Sequence, residues 1–429
     1  MILNSKKPAD ALIDTFFRSH KYLGSHDRKF IAETTYGTLR HFRKCELRVT
    51  STMDELEETA VEADKILLLA VSYLSLQGKM EGVGPETVSS KLRSPRLAEK
   101  TAHVLRLLAK PLAFVREPAF TRIGVEHSFP DWMVQRFIEQ YGEQETEKIC
   151  SSLNEPAPLT LRVNTLKTTV EQCQAALSKQ GIETTKTLLS PFGLNLTKRI
   201  NVFSFPGFRD GWFEVQDEGS QLLPLLIDPK PNAKILDICA GAGGKTLEFA
   251  ALMKNRGEIV AADINSFRLE ELRKRTKRAG VQNVRIRDIQ SIEDLTEQYS
   301  DFFDIVFVDA PCSGLGTIRR NPGMKWMVKE QTVNEVSEKQ KSILHSSVPL
   351  VKPGGRLVYA TCTLLRQENE DVVEEFRESH SEFSLIEAAG ATKNWNNGFV
   401  PRDVFFKLYP HIHKTDGFFC AIFEKQTAR

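Results

Sequence analysis

The sequence predicts an α/β protein built from a helical region, then a small α/β subdomain, then a larger domain with a parallel sheet. The last part is the clearest. From Ala233 onward, short apolar runs alternate with amphipathic stretches, the pattern of a parallel sheet covered by helices on both faces. The middle part begins where two prolines in "NEPAPLTLRVNTL" lead into alternating Leu159, Leu161 and Val163, a strand signature. The first part carries apolar residues at helical spacing.

In chain order, Ile66, Leu67, Ala70, Val71 and Leu74 share one helical face, as do Met133, Phe137 and Tyr141. Between them "EGVGPETVSSKLRSP" breaks the pattern and reads as a loop. The middle segment holds one helix, "TVEQCQAALSKQG", among its strands. After Ala233, "KILDICAGAGGKTLEFAALM" is a strand, a glycine turn and a helix. "GEIVAADIN" is a second strand, followed by the helix "SFRLEELRKRTKRAG". "NVRIRDI", "FDIVFVDAP" and "GGRLVYATCT" supply further strands. The expected domains are 1–141, 142–220 and 221–429, and 429 residues are enough for each to bury a core.

A hydrophobic share of 41% and a charged share of 27% exclude a disordered or fibrous chain. The net charge of +2 conceals basic clusters, such as Arg40, Arg43, Lys44 and Arg48, offset by acidic stretches. Cys45, Cys150, Cys173, Cys239, Cys312, Cys362 and Cys420 form no C-x-x-C pair. Such a scattered, odd set fits a reducing cytosol and argues against a zinc site. His411 and His413 read as solvated loop residues rather than ligands. The opening "MILNSKKPADALIDTF" lacks the apolar core of a signal peptide. "ILLLAVSYLSL" is too short to span a bilayer. A cytoplasmic protein with no membrane, no metal and no zipper follows, and a monomer is expected.

Ligands of open α/β sheets sit beyond the carboxyl ends of the strands. Here the first strand ends in "DICAGAGGKT", where Gly241, Gly243 and Gly244 let backbone approach a ligand. A Walker A loop needs glycine where Cys239 stands. A dinucleotide fingerprint needs glycine where Thr246 stands. An S-adenosylmethionine loop, with no pyrophosphate to cradle, tolerates this pattern. Asp263 ends the second strand, in the place of a carboxylate that accepts ribose hydroxyls. Asp288 ends the third strand, either facing an adenine edge or capping a helix.

"FVDAPCSGLG" places Asp309, Pro311 and Cys312 at the end of the fourth strand. In amino-group methyltransferases a base-stacking tyrosine occupies the place of this cysteine. A thiol there suits a ring-carbon acceptor instead. C5 of a pyrimidine is a poor nucleophile until a thiolate adds to C6 and makes it enamine-like. An acid near N3 must then stabilise the developing charge, and Asp309 is placed for that. The C5 proton must leave before the thiol is eliminated, a step a second cysteine can assist.

"CAGAGGKT", "VDAPCSGLGTIRRNPGMKW", "VKPGGRLVYATCT" and "ENE", in this order, resemble the signature motifs of the RNA cytosine-5 methyltransferases. The resemblance spans most of Gly211 to Ala421, including "GWFEVQDEGSQL". It implies a Rossmann-like S-adenosylmethionine methyltransferase domain acting on RNA. It also implies that Cys362 attacks, that Cys312 serves product release, and that Lys245 and Asp309 approach the base. DNA cytosine-5 methyltransferases attack with the P-C cysteine, so Cys312 is the alternative nucleophile. The implied cofactor site comprises Cys239, Ala240, Gly241, Ala242, Gly243, Gly244 and Lys245, with Asp263, Asp288 and Asp309. Family loops usually carry proline where this chain has Ala242, and losing a fixed φ should loosen the turn.

"DRKFIAETTYGTLRH" is similar to part of a NusB-like helical RNA-binding domain, which the resemblance places over 1–141. Such a domain can fix RNA through its phosphates while the pocket reads one unstacked base. Combined with the methyltransferase motifs, the NusB-like resemblance of the N-terminal region places small-subunit ribosomal RNA ahead of tRNA as substrate. Arg319, Arg320 and Lys325, beside the P-C motif, are candidates for RNA backbone contacts. A catalytically decayed ribosome-assembly protein is the reading from another class, with Ala242 as its support.

Overall fold

The computed structural model describes residues 9–112, 118–393, 395 and 397–427. The first half of the "MILNSKKPADALIDTF" segment lies outside them. The chain divides into two compact units, Met1–Glu155 with Ile318–Glu330, and Pro156–Thr317 with Gln331–Arg429.

The first unit is helical among its described residues. Its core gathers Cys45, Val49, Leu68, Leu69, Leu97 and Val104. Helix Glu62–Leu76 buries Leu68, Leu69, Val71 and Leu74, whereas Ile66 is 53% exposed. The buried face is therefore rotated from the one expected, because so apolar a helix offers more than one stripe to its neighbours. Met133 and Phe137 are buried as expected. The expected loop contains a short helix, Pro85–Ser89, started by proline in its first turn.

The second unit opens with a four-stranded antiparallel sheet of β1 (Thr160–Val163), β2 (Thr184–Lys186), β3 (Gly193–Leu196) and β4 (Phe213–Val215), ordered β2-β3-β1-β4. Its helix Val170–Ser178 starts in a capping box of Thr169 and Gln172. Leu161 and Val163 face the subdomain's own core, while the alternate residue Arg162 pairs with buried Glu248 at 3.1 Å. Glu214 of β4 receives Arg275 at 3.0 Å and Arg278 at 2.6 Å from the helix Ser266–Ala279. Gly211 sits against that helix end so closely that a Cβ would lie 2.0 Å from the Arg278 carbonyl oxygen. Only glycine allows this approach, and its φ of +75° adds to the requirement.

The large sheet contains β5 (Lys234–Ile238), β6 (Glu258–Asp263), β7 (Val284–Asp288), β8 (Phe303–Asp309), β9 (Val351–Thr361), β10 (Phe383–Ile386), β11 (Phe406–Leu408) and β12 (Phe418–Lys425). Their order is β10-β12-β9-β8-β5-β6-β7, with β11 also on β12. Strands β5 to β9 pair in parallel, but β10, β11 and β12 pair antiparallel. The sheet is thus mixed rather than wholly parallel. Val306 and Val308 enter one hydrophobic cluster while Ile305 and Phe307 enter another on the opposite face, the alternation of a strand buried twice.

Candidate active site

Four strand ends, those of β5, β6, β8 and β9, build the site. After β5, Cys239 and Gly241 adopt positive φ, and Gly243, at φ +80°, starts the helix Gly244–Leu252. A Cβ at Gly243 would strike Leu272 at 2.0 Å, so packing as well as φ demands glycine. The loop is tied by Gly243 N–H to the Ala240 carbonyl (2.9 Å) and Ala240 N–H to the Ala262 carbonyl (3.0 Å). Arg275 donates to the Ala242 carbonyl at 2.8 Å. Hydrogen bonds thus hold the turn at Ala242, where the sequence resemblance leads one to expect proline.

Asp263, at the end of β6, accepts from Gly241 N–H and Asn265 N–H, both at 2.8 Å. It is buried and lines the cavity. Asp288 is exposed and does not line the cavity. The following residues, Ile289 to Glu293, line it instead.

At the end of β8, Asp309 accepts a hydrogen bond from Lys245 Nζ at 2.6 Å. Burial opposes the lysine's charge, yet the adjoining carboxylate prevails and raises its pKa above the ordinary value. Asp237, buried within reach of their charges and hydrogen-bonded by the Thr246 hydroxyl at 2.5 Å, has its pKa pushed up by burial to about 7.

Cys312 and Cys362, fifty positions apart, bring their sulfur atoms to 3.3 Å. Cys362 N–H also points at Cys312 Sγ, 3.4 Å away. The hydrogen bond with Cys362, and then burial, hold the Cys312 pKa well above that of an ordinary thiol. Both cysteines are partly accessible and line the same cavity as the glycine loop.

Glu368 holds the two cysteine loops together. Its carboxylate accepts from Ser313 N–H (2.7 Å), Ser313 Oγ (2.5 Å), Thr363 Oγ1 (2.9 Å) and Gln340 Nε2 (3.2 Å). Asn369 adds a bond from its Nδ2 to the Thr363 carbonyl at 3.2 Å. The "ENE" triplet marks this place in the sequence, but nothing in its spacing reveals a buried carboxylate between two loops.

The cavity has a volume of about 840 Å³, the size that a nucleoside-containing ligand requires. Its residues fit S-adenosylmethionine: the backbone is bare at Gly241 and Gly244, where a Cβ at Gly244 would meet nothing, and Asp263 offers a carboxylate. Cys239, Ala240, Ala242, Gly243 and Asp309 line it too. Lys245 reaches the site through Asp309.

Other expectations are corrected. Lys325 is 0% exposed within the helical unit, donating to the Arg40 carbonyl (2.7 Å) and Asn154 Oδ1 (2.8 Å), so it cannot meet a phosphate there. Arg319 is also buried. His413 is half-buried, accepts from Tyr409 N–H at 2.9 Å, and burial lowers its pKa to about 4. Arg40, Arg43 and Arg48 donate to carbonyl oxygens inside the helical unit. Glu126, His127 and Glu147 cluster there, but Arg122 already lies 3.7 Å from each glutamate. Among the described residues no helix is long and apolar enough to cross a membrane.

Residues 224–424 match the family described as 16S rRNA methyltransferase RsmB/F, and residues 129–203 match its RsmF/B-like ferredoxin-like domain. The probable ribosomal RNA small subunit methyltransferase B of Synechocystis sp. is 30% identical, over 97% of this chain and 95% of that one. Its counterpart in Bacillus subtilis is 29% identical over the same shares. A methyltransferase homolog protein from Pyrococcus horikoshii, solved by crystallography, is 29% identical with a TM-score of 0.60, covering 72% of this chain and 100% of that one.

Proposed function

The chain belongs to the RsmB/F family of 16S rRNA methyltransferases, and from that premise we propose that it methylates C5 of a cytosine in small-subunit ribosomal RNA through a covalent cysteine adduct. The observation that carries the reading is the pair of cysteine sulfurs 3.3 Å apart, lining one cavity with the glycine loop and Asp309. A thiol pair there has no use in methylating an exposed amino group.

S-adenosylmethionine is the methyl donor, and its sulfonium supplies an electrophilic methyl group once bound. The chain's own residues make the acceptor reactive. The Cys362 thiolate adds to C6 of the base, forming an S–C bond and shifting the ring's electron pair toward C5. The Lys245–Asp309 pair, at 2.6 Å, supplies the proton that neutralises N3 as this charge develops. C5 then takes the methyl group and N3 returns its proton to the Lys245–Asp309 pair; water in the cavity takes the C5 proton, and the electrons of that C–H bond restore the C5–C6 double bond and expel Cys362 as thiolate. Cys312, whose raised pKa keeps it a neutral thiol, stands beside the leaving sulfur and assists this release.

Methyl transfer to 16S rRNA is measured with Cys362→Ala and Cys312→Ala. The first should abolish transfer, and the second should trap an RNA–protein adduct that survives denaturing electrophoresis. Full turnover by the Cys362 variant sinks the proposal. Bisulfite sequencing of ribosomal and transfer RNA from a deletion strain separates the two substrate classes.

A further inference from the structure

The second unit carries another concave surface, distinct from the glycine-loop cavity. A shallow groove of about 830 Å³ lies where the small subdomain meets the helix Ser266–Ala279. Lys167, Arg209, Lys274 and Lys277, all exposed, surround it, against a single acid, Asp210. Phe203 projects into it at 57% exposure, with half-buried Trp212 nearby.

The groove's architecture is more than a solvated helix face. Arg275 and Arg278 of the same helix turn inward to Glu214, at 3.0 and 2.6 Å, and so secure the subdomain. Arg278 also covers one face of Phe208, 4.0 Å from the ring centroid. Phe208 in turn supports Phe203 edge-on at 5.0 Å. Phe203 is thereby braced from behind and open in front. Lys274 and Lys277 are three residues apart and share a helix face. Lys274 has an acid, Glu271, only at 3.9 Å, a surface contact worth little.

We propose that this groove binds a single-stranded segment of the RNA substrate, its phosphates on the four cations and one base stacked on Phe203. Positive charge beside an exposed ring is the composition that holds single strands without reading their sequence. An acidic peptide would match the charge and leave the ring unused. Arg268 lines the cofactor cavity and Lys277 the groove, nine residues apart on one helix, or about 14 Å along its axis. The groove thus holds RNA outside the base pocket, and its effect should fall on KM rather than kcat. The inference rests on the RNA methyltransferase reading above.

The test uses the full chain with a fluorescently labelled short single-stranded RNA of mixed sequence, read by anisotropy over a salt series. Lys274→Gln with Lys277→Gln should weaken binding about tenfold and reduce the log–log salt slope by about 1.4, the share of two phosphate contacts. Phe203→Ala should cost about fivefold or more in affinity with the slope unchanged. Both variants alter exposed side chains, and unchanged melting temperatures confirm that they fold. With 16S rRNA, KM should rise by the same factors at constant kcat. Wild-type affinity and slope in the variants would overturn the proposal, as would equal sensitivity of polyglutamate binding. If wild-type protein methylates no RNA, the enzymatic reading fails while anisotropy still decides the groove. If it does and the variants keep their KM, only the groove fails.

Discussion

Lys245 and Lys325 each close a glycine-containing run, "AGAGGK" and "NPGMK", and meet opposite fates. Lys245 faces a carboxylate, Asp309, and its pKa rises despite burial. Lys325 faces neutral acceptors, the Arg40 carbonyl and Asn154 Oδ1, with the Phe129 ring 4.1 Å away. Burial drives its pKa well below the ordinary value. A buried ammonium keeps its charge against desolvation only when an opposite charge accompanies it. With neutral acceptors, an aromatic face and only a like charge, Arg40, near it, Lys325 becomes a structural donor that joins the segment Ile318–Glu330 to the helical unit.

The sharpest way to break this comparison is to remove each charge in turn. Lys245→Met should lower kcat by about 10²- to 10⁴-fold, the range of a lost acid–base group, at a smaller cost in stability, because the Asp309 carboxylate it leaves is 31% exposed and can turn to water. Lys325→Met should do the reverse: it leaves buried acceptors unpaired and costs about 3 kcal/mol of stability, while kcat falls less than about tenfold. Chemical denaturation and single-turnover kinetics read both. Two variants with the same profile would erase the distinction.

The glycine loop, Asp263, Asp309 and both cysteines were legible in the sequence because their spacing follows strand ends, and strand ends follow hydrophobic period. What was illegible is long-range. Glu368 sits in a polar triplet with no periodic signal, and its role exists only because Ser313 and Thr363 come to it from the loops after two different strands. Lys325 reads as surface charge until Phe129, Asn154 and Arg40 enclose it. The antiparallel strands β10 to β12 carry the same aromatic and aliphatic residues as the parallel ones, so composition could not give their direction.

His41 sharpens the contrast within the helical unit. Burial above all, and then neighbouring cations led by Lys325, lower its pKa from 6.5 to about 4. Between those values the unfolded chain binds more protons than the folded one, so stability rises with pH from about 4 to 6.5. The full contribution, at most about 3 kcal/mol, is present above pH 6.5 and is lost as pH falls through about 4. His41→Phe should flatten this slope in denaturation measured across the window. Lys325→Met should move its lower end upward, toward 6.5, because one opposing positive charge is gone. An unchanged profile would mean that Lys325 carries no charge that His41 feels.

The smallest effect concerns the loop that Lys245 closes. Its turn carries Ala242 where the sequence resemblance leads one to expect proline, and Arg275 fixes the Ala242 carbonyl at 2.8 Å while pairing with Glu214 at 3.0 Å. Arg275→Ala should therefore weaken S-adenosylmethionine binding by a few fold, about 1 kcal/mol for one charge-assisted hydrogen bond to a backbone carbonyl. Isothermal titration calorimetry would measure it. Adding Ala242→Pro, which fixes φ near −65°, should recover part of the loss. If Arg275→Ala binds the cofactor like wild type, the loop is held by its own backbone bonds and Arg275 serves the subdomain alone. Lys245 would then owe its place to Asp309 and the helix it begins, and the contrast with Lys325 would rest on the carboxylate by itself.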